Sequence, residues 1–216
     1  MNEHCLSERN IEEALIHLAN SDSVMAKLIA NYAKCQLTSN DFPPFHTLTV
    51  SIVSQQLSAK AADTILIRMS KITGSPFRPA NFLAASVDDL RAAGVSSRKI
   101  NFIRAIGEGV ISNRLSFEEL LGMSDEEVIE SLTKFSGIGR WTAEMFLIFG
   151  LKRPDVLALG DAGLQRAAKL LYGKPDELNV LARVSSVWRP YRSVASWYLW
   201  KYLDVAARND KHPDSR

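Results

Sequence analysis

An all-α fold is predicted by three observations. Apolar residues recur at helical spacing along most of the chain, Ser and Asp capping signals precede several of these runs, and no convincing strand interrupts them. At 216 residues, with 46% hydrophobic and 23% charged residues, the chain is long enough to bury a full core as one domain or as two intimately packed lobes. Ile11 to Leu18 and Val24 to Tyr32 are the first predicted helices, the second introduced by Ser21, Asp22 and Ser23. Asp41 to Pro44 breaks the pattern. His46 to Gln56 reads as a buried helix dominated by Leu48, Val50, Ile52 and Val53, and Ala59 to Met69 as a helix with small and apolar residues on one face. Thr73 to Pro79 is a loop rich in Gly, Ser and Pro; Ser86 caps a short helix ending at Gly94, and Ser97 opens a long one over Ile100 to Ile111. Val156 to Leu159 is the nearest thing to a strand, but it is short and follows Pro154 and Asp155, so it reads as a connection leading to Asp161. The tail 208–216 is polar enough to fray, and no repeat, low-complexity tract or linker is visible.

A formal charge of +2 is only mildly basic, so any affinity for nucleic acid must come from local patches and not from a global field. Cys5 and Cys35 have no close spacing and no histidine pattern around them, which argues against a disulfide framework or a zinc site. No stretch approaches a transmembrane span, and the first ten residues are too polar for a secretory signal. The expected location is therefore where the chromosome is, in cytoplasm and nucleoid or in the nucleus.

The chemistry concentrates between Leu132 and Asp161. Ser124 caps a helix with an acidic first turn (Asp125, Glu126, Glu127), and Val128, Ile129, Leu132 and Phe135 keep helical spacing up to a break at Gly137. Gly137 and Gly139 flank Ile138, which frees the turn to take positive backbone angles and lets its amides approach a ligand. A second helix then carries Trp141, Met145, Ile148 and Phe149. Its N-terminal amides, with the Thr142 hydroxyl nearby, form a site for an anion such as a DNA phosphate. An ordinary helical hairpin also places glycine in its turn, but the full string L-T-K-F-S-G-I-G-R-W-T-A favours a helix-hairpin-helix over about 124–149.

Four motifs in order resemble the 3-methyladenine DNA glycosylase II family, the alkylation-repair branch of the helix-hairpin-helix, Gly/Pro-Asp superfamily. They are S-Q-Q-L-S-A-K-A-A from Ser54, L-T-K-F-S-G-I-G-R-W-T-A-E-M-F from Leu132, G-D-A-G-L around Asp161, and W-R-P-Y-R-S-V-A-S-W-Y-L-W from Trp188. The resemblance covers about His46 to Tyr202 and points to the compact form, without the β-rich N-terminal domain of some members. It implies two packed helical lobes with the active-site cleft between them, a monomer, and double-stranded DNA with alkylated bases as partner and an abasic site as product.

What the resemblance implies for single residues follows from the reaction. A base inside duplex DNA is out of reach, so the nucleotide must be extruded and its gap plugged. Gln56 matches the plug position, with Ser58 and Lys60 as backbone contacts beside it; an isolated glutamine there would simply be a solvated helix end. A 3-methylated purine is cationic, which already weakens its bond to the sugar. Aromatic faces then serve to bind it, and a fixed carboxylate to stabilise the oxocarbenium-like sugar. Trp141 and Trp200 match pocket positions, Met145 falls where some members carry an aromatic residue, and Asp161 matches the catalytic carboxylate. Asp161 also stands at an N-cap position, where amides and the helix dipole favour a negative charge, while Trp188 and Trp197 read as core. Many members have a second acid where this chain has Gly160.

Superfamily members that also cut the strand carry a lysine at the position of Trp141, and an indole cannot form a Schiff base. The iron-sulfur members need four cysteines in a C-terminal loop that has none here. The expectation is a monofunctional glycosylase without an organic cofactor. By resemblance, the backbone carbonyls of Thr133, Phe135 and Ile138 hold a monovalent cation, Na+ or K+. Lys134 is a phosphate contact or a solvated charge, and Arg140, Arg166, Arg189 and Arg192 are candidates for a basic face. The alternative of another class is a non-catalytic binder of abasic or distorted DNA, which Gly160 and Met145 keep open.

Overall fold

The computed structural model describes residues 5–39, 41–174 and 177–209. Among them lie thirteen α-helices and no strand. In order these are α1 (Glu8–Ser21), α2 (Ser23–Asn31), α3 (Pro44–Ser54), α4 (Ala59–Thr73), α5 (Pro79–Ala84), α6 (Val87–Ala92), α7 (Ser97–Ile111), α8 (Phe117–Gly122), α9 (Asp125–Thr133), α10 (Arg140–Phe149), α11 (Ala162–Tyr172), α12 (Val180–Val184) and α13 (Arg192–Asn209), with a 3-10 turn at Ser185–Trp188 between the last two. No helix among the described residues is long and apolar enough to cross a membrane. The chain divides into a central unit, Asp41–Leu151, and a terminal unit made of Met1–Asn40 and Lys152–Arg216.

In the central unit, α3 and α10 supply the core. Phe45, Leu48, Ile52 and Val53 of α3 are buried, and seven successive residues of α10, Thr142 to Ile148, are buried too. A helix apolar on all sides needs neighbours on all sides. α3 packs against α4, α7 and α10, and α10 against α9. The helices around them start on strong signals: Ser58, Ser86, Ser96, Ser116 and Ser124 each accept a backbone N–H as N-cap of the helix that follows.

In the terminal unit, α13 packs on α11, α2 and α1. Asp22 caps α2 through Oδ1, which accepts from the amides of Val24 (2.8 Å) and Met25 (3.1 Å). Its other oxygen accepts from the Tyr172 hydroxyl and from Trp188 Nε1, both at 2.8 Å. A capping signal legible over three residues is thus also a half-buried hub joining segments 150 and 166 residues away. Trp188 is fully buried, in accord with its reading as core.

Several boundaries depart from the sequence expectation. The helices α5, α8 and α12 are not expected from the sequence: five or six residues carry little periodicity, and the sequence reading places no cap before them as it does at Ser86 before α6. The first hairpin helix ends at Thr133 and not at Gly137, since the amides of Lys134 and Phe135 both turn back to the Leu132 carbonyl and tighten the chain out of the helix. Ser97 does open α7, but the cap is Ser96, whose hydroxyl accepts from Lys99 N. The expected frayed tail is helical at Arg208 and Asn209, and 210–216 lie outside the described residues.

Candidate functional site

The expected functional residues fall into two groups, one in each unit. In the central unit the α3–α4 turn and the α9–α10 hairpin are joined by one side chain that sequence reasoning missed. Gln55 is the C-cap of α3, and its Nε2 donates to the Gly137 carbonyl (3.0 Å) and to Thr142 Oγ1 (2.9 Å). A carbonyl can only accept and a primary amide has two donors, so the partners fix which way this amide points. Lys99 Nζ donates to the carbonyls of Val53 (2.7 Å) and Gln55 (2.8 Å), filling acceptors left over at the end of α3. Burial pulls the pKa of Lys99 below that of an ordinary lysine. The only sequence trace of this arrangement is the doublet Gln55–Gln56.

Gln56 itself is exposed and has a φ of 58°, in the left-handed region. For a residue other than glycine that conformation costs about 1–3 kcal/mol and persists only where the surroundings impose it. Leu57 beside it is 39% exposed, and Ser58 is exposed with its hydroxyl accepting from Ala61 N (3.3 Å) as the cap of α4. The turn therefore projects two side chains outward from a base that Gln55 and Lys99 hold still.

The two hairpin glycines differ. Gly137 has a φ of 89°, and a Cβ there would lie 2.0 Å from Phe102 Cδ2. The positive φ agrees with the sequence reading, and the missing Cβ also leaves room for the Phe102 ring. Gly139 has an ordinary φ of −91°, and a Cβ there would meet nothing within 4 Å. It is the N-cap of α10 and makes no side-chain cap, so the positive end of that helix stands open to an anion.

Thr142 is 2% exposed and its hydroxyl accepts from Gln55, so the side chain turns to the interior of the hairpin. Trp141 is half-buried, and Met145, one turn further along α10, is 5% exposed. Arg140 is engaged as well: Nη1 and Nη2 donate to Glu126 (2.7 and 2.9 Å) and Nε to the buried Glu144 (3.1 Å). That guanidinium holds the Glu126 carboxyl below its ordinary pKa, through the hydrogen bond first and charge second. Arg189 and Arg192 are likewise paired, both with Asp155 (2.9 and 2.7 Å). Of the four arginines expected to form a basic face, three are therefore tied to carboxylates, and Arg166 is exposed on α11.

Thr133, Phe135 and Ile138 lie at the end of α9 and in the turn after it, where the helix dipole is negative and carbonyls are the available ligands. The Thr133 hydroxyl donates back to Ile129 O (2.8 Å), and the Phe135 carbonyl accepts from Ile138 N (3.1 Å). Carbonyl oxygens of this kind suit a monovalent cation. Among the described residues no cluster of His, Cys, Asp or Glu could hold a metal ion.

In the terminal unit Asp161 is the N-cap of α11 and is 8% exposed. Its Oδ1 accepts from Leu164 N (2.7 Å) and from Trp200 Nε1 (3.0 Å). Both donors meet the same buried oxygen and fix the side chain in place. The cap was legible in sequence; the indole, which comes from α13, was not. Gly163 makes room for it, since a Cβ there would lie 3.0 Å from Asp161 Oδ1 and 3.3 Å from Trp200 Cδ1. At Gly160 a side chain would enter open space, so packing does not account for the missing second acid.

Residues 49–190 match the HhH-GPD superfamily of base excision DNA repair proteins. The chain belongs to that family. DNA-3-methyladenine glycosylase 1 of Schizosaccharomyces pombe is 36% identical over 91% of this chain and 90% of its own length. Among solved structures, a DNA-3-methyladenine glycosidase from Bacillus halodurans is 42% identical with a TM-score of 0.71, covering 90% of this chain and 91% of that one. The S. pombe 3-methyladenine DNA glycosylase in complex with abasic DNA is 34% identical with a TM-score of 0.75, covering 90% of this chain and 98% of that one.

Proposed function

We propose, on that family membership and the site around Asp161, that this chain is a monofunctional DNA glycosylase. It hydrolyses the N-glycosidic bond of alkylated purines such as 3-methyladenine and 7-methylguanine and so initiates base excision repair. The observation that carries the reading is the buried Asp161 carboxylate, fixed by the Leu164 amide and the Trp200 indole.

The chemistry asks little else of the protein. As the C1′–N bond breaks, its electrons go to the cationic purine, which leaves neutral, and positive charge develops on the sugar. A fixed carboxylate lowers the energy of that charge. Water then adds to C1′ and loses a proton, leaving the abasic site. Gln56 fills the gap left by the extruded nucleotide, the amides at the start of α10 hold a backbone phosphate, Trp141 and Trp200 each offer an aromatic face to a flat cationic base, and Met145 offers an apolar side chain. Thr133, Phe135 and Ile138 would hold a monovalent cation that ties the hairpin to the DNA backbone. Trp141 stands where a strand-cleaving relative has its amine, so no Schiff base forms and borohydride should trap no covalent complex.

The test is release of free base from methylated DNA. Wild-type protein that binds DNA yet releases no base would sink the proposal. Asp161→Asn is expected to lose turnover and retain abasic-site binding, whereas a pure binder of distorted DNA has no turnover to lose.

A further inference from the structure

We infer that Gln55 is a positioning residue that locks the wedge turn to the phosphate grip, so that gripping the backbone and plugging the helix become one event. The inference rests on the glycosylase reading for what Gln56 does on DNA. Its physical basis is independent of that reading. One amide group donates to the Gly137 carbonyl and to Thr142 Oγ1, in the turn and first turn of α10, 82 and 87 residues along the chain. The same residue's carbonyl, with that of Val53, is held by the Lys99 ammonium from α7. The next residue is Gln56, which is exposed and keeps its left-handed conformation. A strained, outward-facing residue holds its direction only if the chain before it is fixed, and Gln55 is what fixes it to the hairpin.

A merely structural tie would lower stability and disturb binding to all DNA alike. A positioning role predicts a different split. In Gln55→Leu, which keeps bulk and removes both hydrogen bonds, binding to an undamaged duplex should stay within about twofold of wild type, because the α10 amides remain. Preference for the same duplex with a tetrahydrofuran abasic analogue should fall about tenfold, as expected when a linked pair of hydrogen bonds is removed. Adding Gln56→Ala to Gln55→Leu should cause no further loss, since the wedge is already misplaced. Thr142→Val, which removes a single acceptor, should give the same split with smaller size and carries the test if Gln55→Leu does not fold.

Equal loss on damaged and undamaged DNA, unchanged preference, or additive effects of the two glutamine substitutions would each overturn the inference. A wild-type protein with no preference for the abasic duplex would overturn the glycosylase reading as well. Retained preference in Gln55→Leu would overturn this inference alone.

Discussion

The hairpin region and the Asp161 region solve opposite problems. Around α10 the fold leaves a helix end bare: Gly139 offers no cap and its side is open. Around Asp161 it does the reverse, filling a helix end with a carboxylate and adding an indole N–H to the same oxygen. One terminus is prepared to receive an anion from outside and the other carries its own. The difference lies in what occupies the cap: a glycine leaves the helix amides exposed, and a carboxylate fills them.

The sharpest way to break that contrast is at the carboxylate. Asp161→Asn keeps the cap and the shape but removes the charge, and base release from methylated DNA is expected to fall by at least about a thousandfold, the scale of losing a fixed electrostatic partner in a transition state. Affinity for abasic DNA should persist; retained turnover would show that this oxygen is only a helix cap.

On the hairpin side, Gly137→Ala forces a Cβ into Phe102 at a positive φ. Clash and backbone strain together should cost about 3 kcal/mol, read as a lower melting temperature by calorimetry and weakened binding to any duplex. Gly139→Ala meets neither problem and loses only the N-cap preference of glycine over alanine, so it should melt closer to wild type than Gly137→Ala does. Equal melting of both variants with wild type would contradict the assigned role of Gly137.

A smaller effect separates the two functions of Trp200. If the indole N–H holds Asp161, Trp200→Phe should lower kcat about tenfold, the size of one charge-assisted hydrogen bond, with KM for methylated DNA little changed. A purely stacking role predicts a near-normal kcat for phenylalanine. Gly163→Ala, which crowds both partners, should act in the same direction.

The smallest expected effect lies away from both regions. His46 is stacked between Phe42 and Phe77, and its Nδ1 accepts from Phe77 N (3.1 Å), which makes the neutral ring the form the fold holds. Burial lowers its pKa. Since the folded value is below the unfolded one of about 6.5, this stability is complete above that pH and diminishes as the pH falls below it, where the unfolded chain gains the proton first. Melting curves at about pH 7.5 and about pH 5.5 should show a smaller drop for His46→Gln than for wild type.

How far the sequence carried this account depended on distance along the chain. The caps Ser86, Ser124 and Asp161 were legible because a cap and the amide it binds lie within three residues. The hairpin was legible because its glycines interrupt two periodic runs. The pairing of Arg140 with Glu126 was not, although it removes a cation from the expected basic face. Nor was the inward turn of Thr142, which depends on Gln55 from another helix.

By itself, then, the sequence determined the all-α class, the hairpin and the cap at Asp161. These rest on periodicity, capping and residue chemistry, which act over one or two helical turns. Only the tertiary structure decided that Gln55 joins the wedge turn to the hairpin, that Gly137 yields to Phe102 and that Trp200 completes the hold on Asp161. Such hydrogen bonds form between side chains many residues apart, and whether they meet is set by how the helices pack.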